Sequence, residues 1–255
     1  MTFVYYLRSR LLSGIVGFST IVIMVDLLGQ PGWLSSIVGF ILSVSVNHAI
    51  IKERLQEKTM DNVPGNHYDK HNSKNPVYRS LMKGFHDKII STIKDTRATT
   101  ILDVGCGEGY TTKEINDNYL CVITGIDVSK TIIRKAKELH PEIAFTVGSA
   151  YRLPYPDNSY DLVIATEMLE HLQSPETAII EMKRVSKKYV MITVPNEPLW
   201  RIGNMARGAY IDSWGNTPGH LQHWSKKGIF KLMKNYFEDG MIKNAIMWNI
   251  GLFNK

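Results

Sequence analysis

Cysteine is scarce in this chain, and its scarcity excludes a fold held together by disulfides. The 255 residues include two cysteines, Cys106 and Cys121, which are too few for the disulfide framework of a small secreted protein. Two isolated thiols favour a reducing, cytosolic environment for the part of the chain that contains them. The length leaves room for one α/β domain and a smaller second unit.

Runs of basic residues are also missing, although the chain carries a formal net charge of +6. Nowhere do five or more lysines or arginines follow one another, as they do in many basic arms that bind nucleic acid. Scattered positive charge is typical of a solvated surface or of attraction to anionic lipid. We therefore expect no nucleic-acid partner.

Two long hydrophobic runs are present near the N-terminus, and they predict a membrane hairpin. Residues 11–28 and 33–51 are mainly apolar and are separated by a Gly-Gln-Pro-Gly turn. Each run has about 18–19 residues, close to the length of a helix that crosses a bilayer. A cleaved signal peptide is one alternative, but it would not explain the second run. Two helices buried in a soluble core are the other alternative.

The charges that flank the two runs predict their orientation. Arg8 and Arg10 precede the first run, Lys52 and Arg54 follow the second, and the turn between the runs is uncharged. Because positive residues stay on the cytoplasmic side, both termini and the C-terminal domain are predicted to be cytoplasmic. Small residues recur every four positions in the second run, which permits close packing within the hairpin or in a dimer of two chains.

Three segments are predicted along the chain: a transmembrane hairpin at 1–51, a charged linker at 52–66 and a globular domain at 67–255. In the domain, strands are predicted at 100–104, 121–127, 143–147, 161–165, 189–194 and, more weakly, twice within 241–254. Helical patterns lie between them. This alternation predicts an α/β fold with a doubly wound, mostly parallel sheet, whose ligands bind at the carboxyl ends of the strands.

A glycine-rich turn follows the first strand and predicts a nucleotide-shaped pocket. Gly105, Gly107 and Gly109 alternate after the apolar strand, and glycine allows a backbone to approach a ligand closely. Asp127 ends the next strand about 20 residues later, where a carboxylate can hold the two hydroxyls of a ribose. A dinucleotide-binding loop needs a third glycine where Tyr110 stands, which argues against a nicotinamide cofactor.

The motif Asp-x-Gly-x-Gly-x-Gly at 103–109 resembles the first motif of class I S-adenosylmethionine (SAM)-dependent methyltransferases. Residues 147–163 and 165–172 resemble two further segments of that family, and the match is closest to the subgroup of ubiquinone and menaquinone methyltransferases. The resemblance spans roughly residues 67–255. It implies a Rossmann-like sheet that binds SAM.

The resemblance also implies which residues contact the cofactor. They are Asp103, Gly105, Cys106, Gly107, Gly109, Asp127, Val128, Ser149, Ala150, Glu167 and Tyr68. Tyr68 belongs to a segment that often folds over the cofactor in this family. Ser149 replaces the aspartate that usually contacts the adenine amino group, so that contact is in doubt.

Three histidines are candidates for a general base. Methyl transfer depends mainly on position and desolvation, and a base is needed only where the acceptor carries a proton. His171, His220 and His223 are expected beyond the strand ends, where an imidazole could accept a hydroxyl proton. The alternative role for His223 is to dock the helix that follows it. Zinc binding is a competing interpretation, but the sequence shows no third ligand cluster at suitable spacing, so no metal is predicted.

An irregular insertion at 201–219 is predicted to act as a lid or substrate loop, because long irregular stretches at this edge usually do so. Its aromatic residues suit an apolar acceptor, or they pack the lid itself. The combined prediction is a membrane-anchored methyltransferase that acts on a lipid-borne or small apolar acceptor. A non-catalytic SAM-binding scaffold and a nicotinamide-dependent oxidoreductase are the alternatives. The acceptor atom is left open.

Overall fold

A computed structural model of the chain describes residues 76–255. The chain divides into two units, residues 1–62 and residues 63–255, and all structural statements below concern the described part of the second. The predicted hairpin, the linker 52–66 and Tyr68 lie outside the described residues, so the predicted domain boundaries and the predicted dimer through the hairpin stay predictions.

The structure contradicts the predicted localisation as a two-span membrane protein with cytoplasmic termini. In residues 76–255 no helix is both long enough and apolar enough to cross a membrane. The longest helix there, Pro76–Thr96, has 21 residues, but it is amphipathic and carries the exposed ion pair Lys83–Asp87 on its polar face. The predicted spans, 11–28 and 33–51, lie outside the described residues.

Seven strands form one sheet, in the order β3-β2-β1-β4-β5-β7-β6. The strands are β1 (Thr100–Val104), β2 (Val122–Asp127), β3 (Ala144–Val147), β4 (Tyr160–Thr166), β5 (Ser186–Pro195), β6 (Asp239–Ala245) and β7 (Trp248–Asn254). Neighbours among β1 to β5 are parallel, whereas β7 is antiparallel to both β5 and β6. The predicted doubly wound, mostly parallel sheet is confirmed.

Helices cover both faces of this sheet. Within the described residues they are α1 (Pro76–Thr96), α2 (Tyr110–Asn118), α3 (Lys130–Leu139), α4 (Pro175–Val185), α5 (Leu199–Ala206) and α6 (Lys226–Lys234). Successive residues of a strand point to opposite faces, so Ile101 packs in the apolar cluster under α1, α2 and α3. Its neighbour Leu102 packs in the cluster under α4 and α6. The sheet is therefore buried on both sides, as the apolar run of β5 predicted.

The apolar residues Ile132, Ala136 and Leu139 are spaced to share one face of a helix that Ser129 can cap, and this predicted face of α3 was wrong in part. Ser129 does cap the helix, because its Oγ accepts the Ile132 N–H at 3.4 Å. The helix then buries Ile133 and Ala136 against the sheet, while Leu139 is exposed. Because the helix begins at Lys130, residues 133 and 136 lie on the face that meets β2 and β3. Leu139 lies outside that face.

The insertion after β5 is more regular than the sequence suggested. It contains α5 and a short 3-10 turn, Ile211–Ser213. Trp200 is buried, 5.7 Å from the Trp248 ring, and its indole N–H donates to Thr217 Oγ1 at 2.9 Å. The Asn204 amide, also buried, donates to the Gly215 carbonyl at 2.8 Å. The two hydrogen bonds join parts of the insertion to each other, and the Trp200 ring packs against Trp248 of β7. Trp200 therefore belongs to the core and is not part of an acceptor surface.

The Asn204→Ala variant should loosen this insertion. It leaves the buried Gly215 carbonyl without its donor, which destabilises the domain by about 1–3 kcal/mol. Urea unfolding should show this loss, and limited proteolysis should cut residues 207–219 faster. Asn244→Ala, at an exposed position of β6, is the matched control and should change neither property. Equal cleavage of the two variants would contradict the assigned role of Asn204.

Candidate functional site

The centre of the sheet provides a crevice at the carboxyl ends of β1, β2, β4 and β5. The strand order reverses direction at β1, which lies between β2 and β4, and open α/β sheets bind ligands outside such a switch point. Gly105 follows β1, Asp127 ends β2, and Glu167 follows β4. The predicted cofactor residues in the described part of the chain therefore come from the loops at one edge of the sheet.

The glycine loop is hydrogen-bonded to β2 and has unfilled space beside Gly107. The N–H groups of Gly105 and Cys106 donate to the Ile126 carbonyl at 2.7 and 3.1 Å. A Cβ on Gly105 would lie 2.4 Å from Met168 Cγ, so the loop packs closely against the segment after β4. Gly107 has a φ of +55°, and apart from its own chain neighbours no atom of the described residues lies within 4 Å of the position that its Cβ would take. That space is available to a ligand.

The Asp127 carboxylate bridges the glycine loop and the start of α3. Its Oδ2 accepts the Gly107 N–H at 3.1 Å, and its Oδ1 accepts the Ser129 N–H at 3.0 Å. Burial raises the pKa of this carboxyl, against the opposing effect of these two backbone bonds. Two carboxylate oxygens have about four acceptor positions, so each can still accept a bond from a ligand hydroxyl.

Asp103 lies fully buried in the floor of the same loop. Its Oδ2 accepts the Thr112 hydroxyl at 2.6 Å, while its Oδ1 has no hydrogen-bond partner among the described residues. Burial raises the pKa of the Asp103 carboxyl to about 7, against the opposing bond from Thr112. Burial also holds the pKa of the neighbouring Cys106 well above its usual range, so this side chain is a neutral thiol.

The other predicted cofactor residues lie around this crevice with less distinctive contacts. Val128 and Ala150 are half-buried, and the Ser149 hydroxyl accepts the Tyr151 N–H at 3.2 Å within a turn. Glu167 adopts a left-handed backbone with a φ of +54°, which is uncommon for a side chain other than glycine and is typical of functional sites. Contact of these residues with a cofactor stays a prediction.

Two of the three predicted histidines come together. The rings of His171 and His220 are perpendicular, with centroids 4.9 Å apart, and Glu170 lies beside them. Donor atoms of Glu170, His171 and His220 all lie within 4.8 Å of one another. Spacing along the chain does not show that residues 170 and 220 meet, so the sequence did not predict this three-residue group.

His223 is in different surroundings. Its Nε2 is 3.3 Å from an Arg201 guanidinium nitrogen, and its Nδ1 is 3.7 Å from a Glu197 carboxylate oxygen. Partial burial and the Arg201 charge lower the pKa of His223, against the effect of Glu197. A neutral imidazole could accept a proton, but these contacts equally suit the docking role considered for His223. The predicted base role of His171, His220 and His223 stays a prediction.

Comparison with known proteins agrees with this geometry. Residues 102–192 match the family described as "Methyltransferase domain". Residues 102–192 therefore belong to a SAM-dependent methyltransferase domain. Among solved structures, the chain is similar to magnesium protoporphyrin IX methyltransferase of Synechocystis, which was solved with bound S-adenosylhomocysteine. The match covers 80% of this chain and 94% of that protein at 14% identity. Its TM-score of 0.53 shows that the two share a fold. The cofactor of the methyltransferase domain is SAM.

Two curated relatives are similar over the central part of the domain. Ajmaline N-methyltransferase of Rauvolfia serpentina is 34% identical over 106 residues, which are 39% of this chain and 36% of the relative. Demethylmenaquinone methyltransferase of Renibacterium salmoninarum is 31% identical over 99 residues, which are 39% of this chain and 41% of the relative. The chain thus matches well under half the length of these relatives.

Two features of the crevice itself suit SAM, independently of the similarity to other proteins. Asp103 Oδ1, a buried carboxyl oxygen without a hydrogen-bond partner among the described residues, suits a cofactor that carries an ammonium and a sulfonium charge. The space at Gly107 that no described residue fills lies next to the Asp127 carboxylate. The role of Asp127 in holding the ribose diol stays a prediction.

The Asp127→Ala variant should bind SAM and S-adenosylhomocysteine at least tenfold more weakly. It removes a charge-assisted acceptor, an interaction that contributes about 1.5–3 kcal/mol. Calorimetry with either ligand measures the change. Asp95→Ala, at the exposed end of α1, is the control and should bind as the unmodified chain does. Unchanged affinity in a folded Asp127→Ala protein would remove the ribose role from this residue.

The raised pKa of Asp103 makes ligand-free stability depend on pH. The native carboxyl keeps its proton up to about pH 7, whereas the unfolded carboxyl releases it near its ordinary pKa, so the free energy of unfolding falls as pH rises between these values. The Asp103→Asn variant lacks this titration. Relative to the unmodified chain, the free energy of unfolding of this variant should rise by about 2 kcal/mol between pH 5 and pH 7. Urea unfolding followed by tryptophan fluorescence at both pH values tests this. Parallel profiles for the two proteins would show that native Asp103 is already ionised.

Proposed function

We propose that the protein transfers the methyl group of SAM to a lipid-borne or small apolar acceptor, bound against residues 199–221. SAM supplies an electrophilic methyl carbon, and the chain supplies the position of both reactants and the exclusion of water. Residues 199–221 follow the carboxyl end of β5, at the same edge of the sheet as the glycine loop and Asp127. An acceptor held there lies beside the cofactor crevice.

The observation that carries this proposal is a concentration of exposed apolar side chains on that segment. Leu199, Ile202, Ile211, Trp214 and Leu221 are all exposed, and Trp214 is 78% accessible to solvent. They are five of the fourteen large apolar side chains that are exposed in the described residues. Covering such surface with an apolar ligand is favourable by about 25 cal/mol per Å², and exposed apolar patches often mark binding sites.

The backbone of the segment also supports a binding role. Tyr210 and Trp214 both adopt a left-handed conformation, with φ of +57° and +53°. Such conformations carry strain in residues other than glycine and cluster at functional sites. The turn between them, Ile211–Ser213, projects its apolar side chain into solvent. The bound acceptor would remove that surface from water.

The named relatives support an acceptor of small-molecule type. One is named for ajmaline and the other for demethylmenaquinone. Because the chain spans only part of each relative, neither compound is assigned to it. A substituted hydroquinone and an apolar secondary amine are therefore the two probes that distinguish transfer to oxygen or carbon from transfer to nitrogen.

Methyl-labelled SAM tests the proposed activity. The purified full chain should transfer label to at least one of the two probes and release S-adenosylhomocysteine. The variants Ile202→Ser and Trp214→Ala should raise KM for that probe severalfold, since each removes apolar contact area, and should leave S-adenosylhomocysteine affinity unchanged. Met241→Ser, at an exposed position of β6, is the control and should leave KM as it is.

Two outcomes would contradict the proposal in different ways. A chain that binds S-adenosylhomocysteine but labels no apolar probe would support the non-catalytic scaffold. A labelled probe with the same KM in Ile202→Ser, Trp214→Ala and the unmodified chain would place the acceptor elsewhere on the domain.

A further inference from the structure

We propose that Glu170, His171 and His220 bind one divalent transition-metal ion. The three residues offer one carboxylate oxygen and two imidazole nitrogens, all within 4.8 Å of one another. Two histidines and one glutamate are a ligand set that zinc and related first-row ions use in open, reactive sites. Donor atoms about 2.0–2.2 Å from one ion are about 3–4.4 Å apart, so small side-chain rotations complete the site.

The backbone holds the two halves of this cluster together. The carbonyl of Glu170 accepts the N–H groups of Leu221 and Gln222 at 2.8 and 3.0 Å. His171 Nδ1 is 2.9 Å from the carbonyl of Gly219. Residues on both sides of His220 are thus bonded to residues 170 and 171. The cluster is therefore fixed before any ion binds, which lowers the entropy lost on binding.

The contact between His171 and Gly219 also determines which His171 nitrogen can bind an ion. A carbonyl only accepts hydrogen bonds, so His171 Nδ1 carries the proton and donates it, and Nε2 keeps its lone pair. Metal-binding histidines usually make this second hydrogen bond, which sets both the tautomer and the ring orientation. His220 is oriented in another way, because its ring stacks on Trp200 with an angle of 24° between the planes.

Burial gives the cluster a further reason to hold a cation. Glu170 has no exposed surface, and His220 is also buried, whereas His171 is exposed. In buried surroundings the attraction between a carboxylate and a cation is stronger than in water. An ion bound by Glu170 would be reached from solvent on the His171 side. The site would thus be closed on the Glu170 side and accessible on the His171 side.

The position of the cluster suggests what the ion does. Met168, two residues before Glu170, packs against Gly105 of the glycine loop. Trp200, which stacks on His220, belongs to α5 and so to the acceptor segment, residues 199–221. The ion would lie between these two regions. An acceptor hydroxyl bound to it would release its proton to water more easily, because a bound cation stabilises the resulting oxyanion. This consequence rests on the proposed function, whereas metal binding itself does not.

Metal titration of the chelator-treated full chain tests the site directly. Calorimetry with Zn²⁺ should detect one ion whose affinity falls at least tenfold in His171→Gln and in Glu170→Gln. With Co²⁺ as the probe, the visible spectrum should show coordination that both variants lose. His171 is exposed, so its variant should fold, and Glu170→Gln keeps the side-chain volume. His86→Gln, on α1 outside the cluster, is the matched control and should bind both ions as the unmodified chain does.

The outcomes separate the metal site from the proposed activity. Zn²⁺ binding that is equal in the unmodified chain, His171→Gln and Glu170→Gln would overturn the site, whatever the methyl-transfer assay shows. If the ion binds as expected and its removal lowers transfer to a hydroquinone while S-adenosylhomocysteine affinity is unchanged, the ion acts on the acceptor. If its removal leaves transfer unchanged, the site stands and the activating role is wrong.

Discussion

The carboxylate of Asp127 is the contact on which the cofactor site depends. It ends β2, accepts the Gly107 N–H from the loop after β1 and accepts the Ser129 N–H at the start of α3. The loop after β1 is thereby fixed to the junction between β2 and α3. The glycine loop is held in place because the N–H groups of Gly105 and Cys106 donate to the Ile126 carbonyl and that of Gly107 donates to the Asp127 carboxylate. Loss of this anion would release the loop and the helix start together.

A second set of hydrogen bonds orders the opposite side of the crevice. Glu170 and His171, after β4, are bonded through backbone atoms to residues 219–222, and the buried Asn204 fixes α5 to the Gly215 turn. The same hydrogen bonds therefore hold both the acceptor segment and the cluster of Glu170, His171 and His220 in place. The apolar side chains Leu199, Ile202 and Ile211, on α5 and the following turn, remain exposed. A single structural unit thus provides both the acceptor surface and the metal ligands that we propose.

Local sequence signals predicted those elements whose formation depends on nearby residues. The strand Thr100–Val104 has the predicted bounds, and Ser129 and Ser225, each at a position where the sequence predicts a helix to begin, cap the helices that follow them. The alternating glycines and the aspartate about 20 residues later identified the cofactor edge for the same reason, because each acts through its own backbone conformation or its position at a strand end. Where the sequence failed, as for the buried face of α3, packing against the sheet decided between adjacent helix positions.

The sequence alone thus determined the sheet and its order of elements, because periodicity and capping are local properties of the chain. Only the tertiary structure decided which distant residues share a site. It brought Glu170 and His171 to His220 across about 50 residues, gave His223 different contacts, and placed Trp200 in the core. These outcomes depend on how the insertion after β5 folds back over the sheet. That path is set by buried hydrogen bonds such as those of Asn204, and such long-range partners have no signature in residue spacing.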